Sequence, residues 1–390
     1  MADQTVAQAF AAVPDPVLFE SDISLIAQAM LVGFQAGYQA ATGTPLTLGA
    51  ADPRRYSLLY QADLISQSYS AGNWVSKQNL LKYAVGANLD SLGSFWGEMG
   101  LRLQAFPAEC ELTFSIAGVS AVDITVPSGT NAATADGTLV YTTSEDCVIS
   151  AGSLFNSVLA ACTTPGLIGN NLPVGTVTVL QNWSQPYVVT VSNNTVPSGG
   201  ADLETDDHYR VRLYKLPKGL STCGTKESYE FFAFSANPSI AQVSVYSDPG
   251  IAGTVVITPL MDGGRIPTDI ELTQVADACN GTNNRPLSDL VIVNAPAEHA
   301  YRIQVSACLP KILAPQESAL LSNGYAAINA YMANETASLG GYIDPTPLAT
   351  ALSNIGFIDV EVSYPLFEVL NDNEQPSLVD DPEFSYLGLI

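Results

Sequence analysis

The sequence predicts an α+β chain: an N-terminal helical arm, a small all-β domain, then one or two mixed α/β domains with two helices on a small sheet. Three observations carry this prediction. Apolar residues recur at helical spacing through the first hundred residues. That period stops between 105 and 200, where short Val/Thr/Ile runs alternate with Gly, Pro, Asn and Ser. From 201 onward helical and strand patterns alternate. These shifts place a helical arm or bundle at 1–104, an all-β domain at 105–200, an α/β domain at 201–311, a smaller α/β domain at 312–370 and an extended acidic tail at 371–390.

In the first region, 21–43 carries Ile23, Ile26, Met30 and Phe34 at helical spacing, with Asp22 placed to cap the helix and Gly43 to stop it. A second stripe over 54–87 holds Leu58, Ala62, Ile65 and Tyr69. Leu89, Leu92, Trp96 and Met99 follow, alternating steps of three and four into a narrow apolar seam. These stripes read either as the core of one small bundle or as seams left for helices of another chain. The second reading makes Ile23, Ile26, Met30, Phe34, Leu89, Leu92, Trp96 and Met99 candidate interface residues.

The β domain is read from runs at 112–116, 123–126, 139–143, 175–180 and 187–191, with Asp136-Gly137 as a hairpin turn. Beyond it, 202–216 looks helical, with Glu204, Asp206 and Asp207 in its first half and Arg210, Arg212 and Lys215 in its second, an order that complements the helix dipole. A helix at 225–236, strands at 240–246 and 253–259, a helix at 268–279 and strands at 290–294 and 301–309 suit two helices crossing a four-stranded sheet. A helix at 315–334 presents Leu320, Ala327 and Tyr331, and a short helix at 347–355 precedes a strand at 357–363. The acidic, Pro-containing stretch 371–381 reads as an extended, partly disordered arm, and the apolar 384–390 as an end that docks. Pro/Gly punctuation puts hinges near 106–108, 197–200 and 309–315.

Composition narrows the function. The 390 residues hold 14 Lys+Arg against 38 Asp+Glu, a net charge of −24, yet only 13% are charged, where a soluble domain carries about 25%. Acids are ordinary in number; bases are missing, with none in 1–53, 103–209 or 312–390. Nucleic acid is excluded as a main partner, since phosphate neutralisation needs clustered Lys/Arg, and anionic membranes are disfavoured for the same reason. With 47% hydrophobic residues, whole-chain disorder is excluded too. Low charge points to surfaces covered by other protein. Five of the fourteen bases lie between Arg210 and Lys226, which makes Arg212, Lys215 and Lys218 candidates for a contact with an acidic region of a neighbouring copy. The start of the chain lacks the basic segment of a signal peptide, and the apolar run at 23–36 is shorter than the ~20 residues a membrane span needs. The six cysteines form no C-x-x-C and read as small buried hydrophobes made in a reducing cytosol.

Chemistry is sparse. His208 and His299 are the two histidines. Glu204 and His208 share a helix face at i, i+4 and would be the start of a metal-dependent hydrolase site, but a solvated helix start is the simpler reading. No phosphate loop, nucleophile elbow or zinc-protease motif occurs, so no catalytic residue, metal or cofactor is assigned. Thr/Asn/Gly-rich loops and 17 tyrosines leave a β-rich carbohydrate-binding or adhesion module as the alternative.

An ordered series of motifs adds to this. Leu89, Asp90, Leu92 and Gly93 lead to Gly100-Leu101-Arg102-Leu103. Then come Val126-Pro127-Ser128-Gly129-Thr130, Asp136-Gly137 and Tyr141-Thr142-Thr143, and after them Gly169-Asn170-Asn171 and Pro173-Val174-Gly175. Gly199-Gly200-Ala201-Asp202-Leu203-Glu204-Thr205-Asp206-Asp207 follows, with Arg210 and Arg212 behind it and Arg285-Pro286-Leu287-Ser288-Asp289 later. From about 55 to 310 the series resembles the baseplate J-like family of contractile-tail phages and related injection machines. The resemblance implies a structural baseplate wedge protein in the virion tail, made in the host cytoplasm. It implies a second copy of itself, other wedge proteins and hub or sheath-initiating proteins as partners, and a ring around the hub that rearranges on contraction. It also implies fold-maintaining roles for Asp90, Gly93, Arg102, Pro127, Gly129, Asp136, Gly137, Gly199, Gly200, Glu204, Asp206, Asp207 and Arg210. Where the family often has a Ser-Ala-Gly-Pro run, this chain has Ser221-Thr222-Cys223-Gly224-Thr225.

Overall fold

The computed structural model describes residues 6, 9–221, 223–247, 250–251, 253–281, 284–286 and 288–390; Thr222 and Leu287 of the motifs above lie outside them. The chain forms two compact units, Val6–Leu101 and Arg102–Ile390.

The first unit is helical. Helix α1 (Ile23–Thr42) starts where the Asp22 carboxylate accepts the Ser24 and Leu25 N–H groups and ends at Gly43, whose φ of +74° turns the chain away. Helix α2 (Pro53–Lys77) is capped by Asp52 and packs against α1. It is shorter than the 54–87 stripe, because Gln78 gathers the following turn: its side chain accepts the Val85 N–H and donates to the Tyr83 carbonyl. Helix α3 (Ala87–Ser94) also stops early, and Gly97 at φ +62° opens a 3-10 turn over Gly97–Gly100. The seam from Leu89 to Met99 is therefore broken rather than one helix face.

In the second unit, β1 (Glu109–Ile116), β3 (Asn131–Thr134), β4 (Val140–Thr143), β6 (Phe155–Cys162), β7 (Val177–Gln181) and β8 (Val189–Asn193) form an antiparallel sheet in the order β7-β3-β4-β6-β1-β8. β7 and β8 lie against each other, so the sheet is a nearly closed barrel. The ribbon of β2 (Ile124–Val126) and β5 (Cys147–Ile149) adds to it. Alternation along β1 sends Cys110, Leu112 and Phe114 inward, where they meet Tyr141, Val158, Val177 and Val191.

Next come α4 (Asp206–Gly219), α5 (Lys226–Phe234), β9 (Ile240–Ser247), β10 (Thr254–Met261), α6 (Asp269–Asn280) and β11 (Leu290–Val293). Helix α4 begins later than expected because Thr205 caps it through the His208 N–H. The sheet has three strands, β11-β10-β9, and not four. The expected fourth strand divides into β12 (Ala297–Tyr301) and β13 (Gln304–Leu309), and both leave for the C-terminal region.

There, α7 (Glu317–Thr336), β14 (Gly341–Ile343), α8 (Thr346–Ile355), β15 (Ile358–Tyr364), β16 (Glu368–Leu370), β17 (Glu374–Leu378) and β18 (Glu383–Leu389) close the fold. β13 lies between antiparallel β15 and parallel β18, β17 pairs with β12, and β16 with β14. The stretch expected to be partly disordered, 371–381, thus contains a paired strand. It is ordered because Glu374 accepts from the Asn371 backbone and side chain and buried Gln375 donates to the Gly264 and Thr336 carbonyls.

Candidate functional site

The most organised polar cluster lies where the chain enters and leaves the barrel. Glu204 precedes α4 and is 2% exposed; Arg212, two turns on, is 1% exposed. The Arg212 guanidinium donates from Nε to Oε1 at 2.8 Å and from Nη2 to Oε2 at 2.7 Å, a bidentate pair. His208 Nδ1 lies 2.6 Å from Oε1, and since a carboxylate only accepts, Nδ1 carries the proton it donates. The Leu103 N–H donates to Oε2 at 2.9 Å. Burial alone would raise the Glu204 carboxyl, but hydrogen bonds from Arg212 and His208, the Arg212 charge and the Leu103 N–H hold it below the usual range.

Arg102 completes the cluster from the run that enters the barrel. It donates to the Glu204 carbonyl at 2.8 Å and to Asp206 Oδ1 at 2.7 Å, and its guanidinium lies 4.6 Å from the Tyr209 ring centroid. His208 stacks on Phe234 at 4.0 Å, and Lys215 Nζ lies 4.8 Å from the same ring. Both Glu204 oxygens are occupied by protein donors, so the carboxylate has no lone pair left for a metal. Among the described residues no group of three or more His, Cys, Asp or Glu is placed to hold one.

The two segments expected to be hinges at 106–108 and 197–200 are bonded to each other instead. Phe106 pairs with Ala201 and Glu109 with Ser198, both antiparallel. Gly199 and Gly200 sit between two grips. Asn237 and Gln274 of the α/β region donate to the Gly199 carbonyl at 3.1 and 3.4 Å, while the barrel's Asn170 accepts the Gly200 N–H at 3.0 Å and donates to its carbonyl at 2.7 Å. A hinge needs free backbone; here every local donor and acceptor just named is engaged.

The other site residues fall as follows. Asp136 accepts from Thr134 and Thr138 in the β3–β4 turn, where Gly137 has φ +71°. Pro127 and Gly129 make the turn before β3, with Thr130 donating to the Pro127 carbonyl. Gly93 is buried, and the Trp96 N–H donates to its carbonyl; Asp90 lies in the first turn of α3. Arg210 pairs with exposed Asp207 at 2.7 Å. Of the three basic interface candidates, Arg212 and Lys215 are buried inside the chain, and Lys218 is exposed, 3.8 Å from Glu227. A basic cluster in sequence thus divides into internal and surface charges, because helical spacing turns 212 and 215 inward and 218 outward. On the first unit Ile23, Phe34 and Trp96 are exposed, Ile26, Met30, Leu92 and Met99 half-buried, and Leu89 buried. The Arg102–Glu204 link had no signal in the sequence, since its ends are 102 residues apart.

Residues 111–200 match the family model described as the Baseplate J-like protein barrel domain, and 221–295 the Baseplate J-like central domain. The resemblance read from the motifs holds over both. The chain is 27% identical to "Baseplate protein J" of Escherichia phage P2 over 221 residues, 57% of this chain and 70% of that one. It is 26% identical to "Mu-like prophage FluMu protein gp47" of Haemophilus influenzae over 333 residues, 82% and 90% of the two chains. A chain of the anti-feeding prophage (AFP) baseplate, solved by cryo-EM, overlays on 97% of both chains at 14% identity with a TM-score of 0.41.

Proposed function

We propose that this chain, which carries the barrel and central domains of baseplate J-like proteins, is a structural, non-catalytic wedge subunit of a contractile tail baseplate. In this reading it links wedges into a ring around the hub and takes part in the rearrangement at contraction. Its partners are other wedge proteins, a second copy of itself and hub or sheath-initiating proteins, and it resides in the virion tail. No helix among the described residues is long and apolar enough to cross a membrane.

The observation that supports this most is the surface of the first unit. Helix α1 has twenty residues, none charged, and buries only Ala27; α2 buries only Ala62. Ile23, Leu25, Val32 and Phe34 on α1, Tyr56, Tyr60, Leu64 and Trp74 on α2, and Phe95, at 84%, are exposed. Exposed apolar residues in that number mark a surface that another protein covers. The polar clusters of the second unit neutralise themselves, which suits a scaffold.

Deleting residues 1–50 in the producing phage or element tests this. The expected result is loss of wedge assembly with the rest of the chain still folded by circular dichroism. Baseplates of normal composition built from the deleted chain would remove the arm's assigned role.

A further inference from the structure

We propose that Glu204 is the latch of a two-strand stalk that fixes the barrel to the central α/β region, so that the two turn as one lever and the chain bends elsewhere.

The barrel is joined to the α/β region by one run of backbone, 197–205, and 102–108, which enters the barrel after the 3-10 turn, lies beside it. A domain hung on one such run swings if it is free. Here the run is held at several points. The runs pair with each other at Phe106–Ala201 and Glu109–Ser198. The barrel holds them through Asn170 on Gly200, through the Asn171 N–H on the Pro197 carbonyl at 2.8 Å, and through the Leu167 N–H on Asp202 Oδ1 at 2.9 Å. The α/β region holds them through Asn237 and Gln274 on Gly199 and through Thr268, whose hydroxyl donates to Ser198 Oγ at 3.0 Å. The approach is too close for any side chain at Gly200. A Cβ there would sit 2.6 Å from the Gly166 carbonyl oxygen, and one at Gly199 2.8 Å from Ile270 Cγ2.

Glu204 locks this arrangement. Its carboxylate takes a hydrogen bond from the incoming run, at Leu103, and three from α4, through Arg212 and His208. Arg102 repeats the cross-link in the opposite sense, reaching from the incoming run to the Glu204 carbonyl and Asp206. Opening the stalk would take the Leu103 N–H from a buried carboxylate, break both Arg102 bonds and expose the buried Glu204–Arg212 pair. The latch therefore opens as a unit. Its use as a lever in contraction rests on the reading above, but the latch itself does not.

The test uses the full chain with nitroxide labels at Cys223, exposed in the α/β region, and at Leu159→Cys, exposed on β6, together with native-state hydrogen exchange. The wild-type latch gives one narrow inter-label distance, and the Phe106, Glu109, Ser198 and Ala201 amides exchange as slowly as those in β1 and β8. Glu204→Gln broadens the distance and speeds the stalk amides roughly a hundredfold, with β1 and β8 unchanged. If that variant fails to fold, Arg102→Gln, which cuts only the second cross-link, speeds the same amides about tenfold. A broad distance or fast stalk amides in the wild type would overturn the latch, as would folded variants that exchange like the wild type. A narrow distance in a chain that builds no wedge would retain the latch and reject only the baseplate reading.

Discussion

A carboxylate survives inside a protein when its neighbours replace the water it has lost, and at Glu204 four donors do so. Removing the charge by Glu204→Gln leaves the Arg212 guanidinium buried without its counter-ion, a change that costs about 3–5 kcal/mol when one partner of a buried pair goes; urea unfolding measures it. The sign of the pH dependence follows from the lowered folded pKa of Glu204. Its contribution is fully present above the unfolded value of about 4.3 and is lost as pH falls through the folded one. The stability gap between wild type and Glu204→Gln should therefore narrow as pH falls below about 4; a gap that widens in acid would contradict the geometry. Arg212, Arg102 and His208 face this carboxylate, so the variant comparison isolates Glu204 from the other acids. Gly200 is the second fixed point. Gly200→Ala puts a methyl group against backbone oxygen and should destabilise by about 1–3 kcal/mol, whereas the same change at Gly33, where nothing lies within 4 Å, should stabilise α1 by up to about 1 kcal/mol.

At the scale of elements, local chemistry marked the segments well and their partners poorly. Helix α1 was readable at both ends because Asp22 and Gly43 act within a few residues of where they stand. The barrel strands at β1, β4, β7 and β8 showed through Val and Thr runs, and Asp136-Gly137 fixed their central hairpin. Strand β3, Asn131-Ala132-Ala133-Thr134, gave no such sign, since two of its residues are Ala and its strand identity comes from lying between β4 and β7. Strand β17 was hidden by Pro376 and its acidic flank; pairing with β12 on one side and the Gln375 bonds make it a strand. Long-range partners also decided β13, which the order of elements placed in the central sheet and which pairs with β15 and β18 instead. The same reasoning bears on α1. Its Val32 and Phe34 are exposed in the isolated chain, so Val32→Ser with Phe34→Ser should leave the melting temperature within about 2 °C while reducing co-purification with neighbouring baseplate proteins. A large fall in melting temperature would show instead that this face packs within its own chain.

For the whole molecule, the distribution of bases has two origins that the sequence alone ran together. Arg102, Arg212 and Lys215 are internal, while Lys218 remains outside. The acidic net charge is thus less balanced at the surface than the count of fourteen bases suggests, and a face that meets an acidic neighbour would depend on few cations. Protease cleavage can read this division directly, because trypsin cuts after Lys and Arg and 103–209 contains neither. Cleavage of a native chain tracks the local population of open backbone. The loop between α4 and α5, bounded by exposed Lys218 and Lys226, should be cut early. The bond after Arg102 should resist, since opening it requires Arg102 to leave Glu204 and Asp206. Timed digestion followed by mass spectrometry should show the loop cut first and no early barrel fragment starting at Leu103. In Glu204→Gln the Leu103 fragment should appear early, about tenfold sooner or more if the stalk opens as a unit. Early release of that fragment from the wild type would place the weak point of the molecule at the stalk, and the barrel would then swing freely on the α/β region.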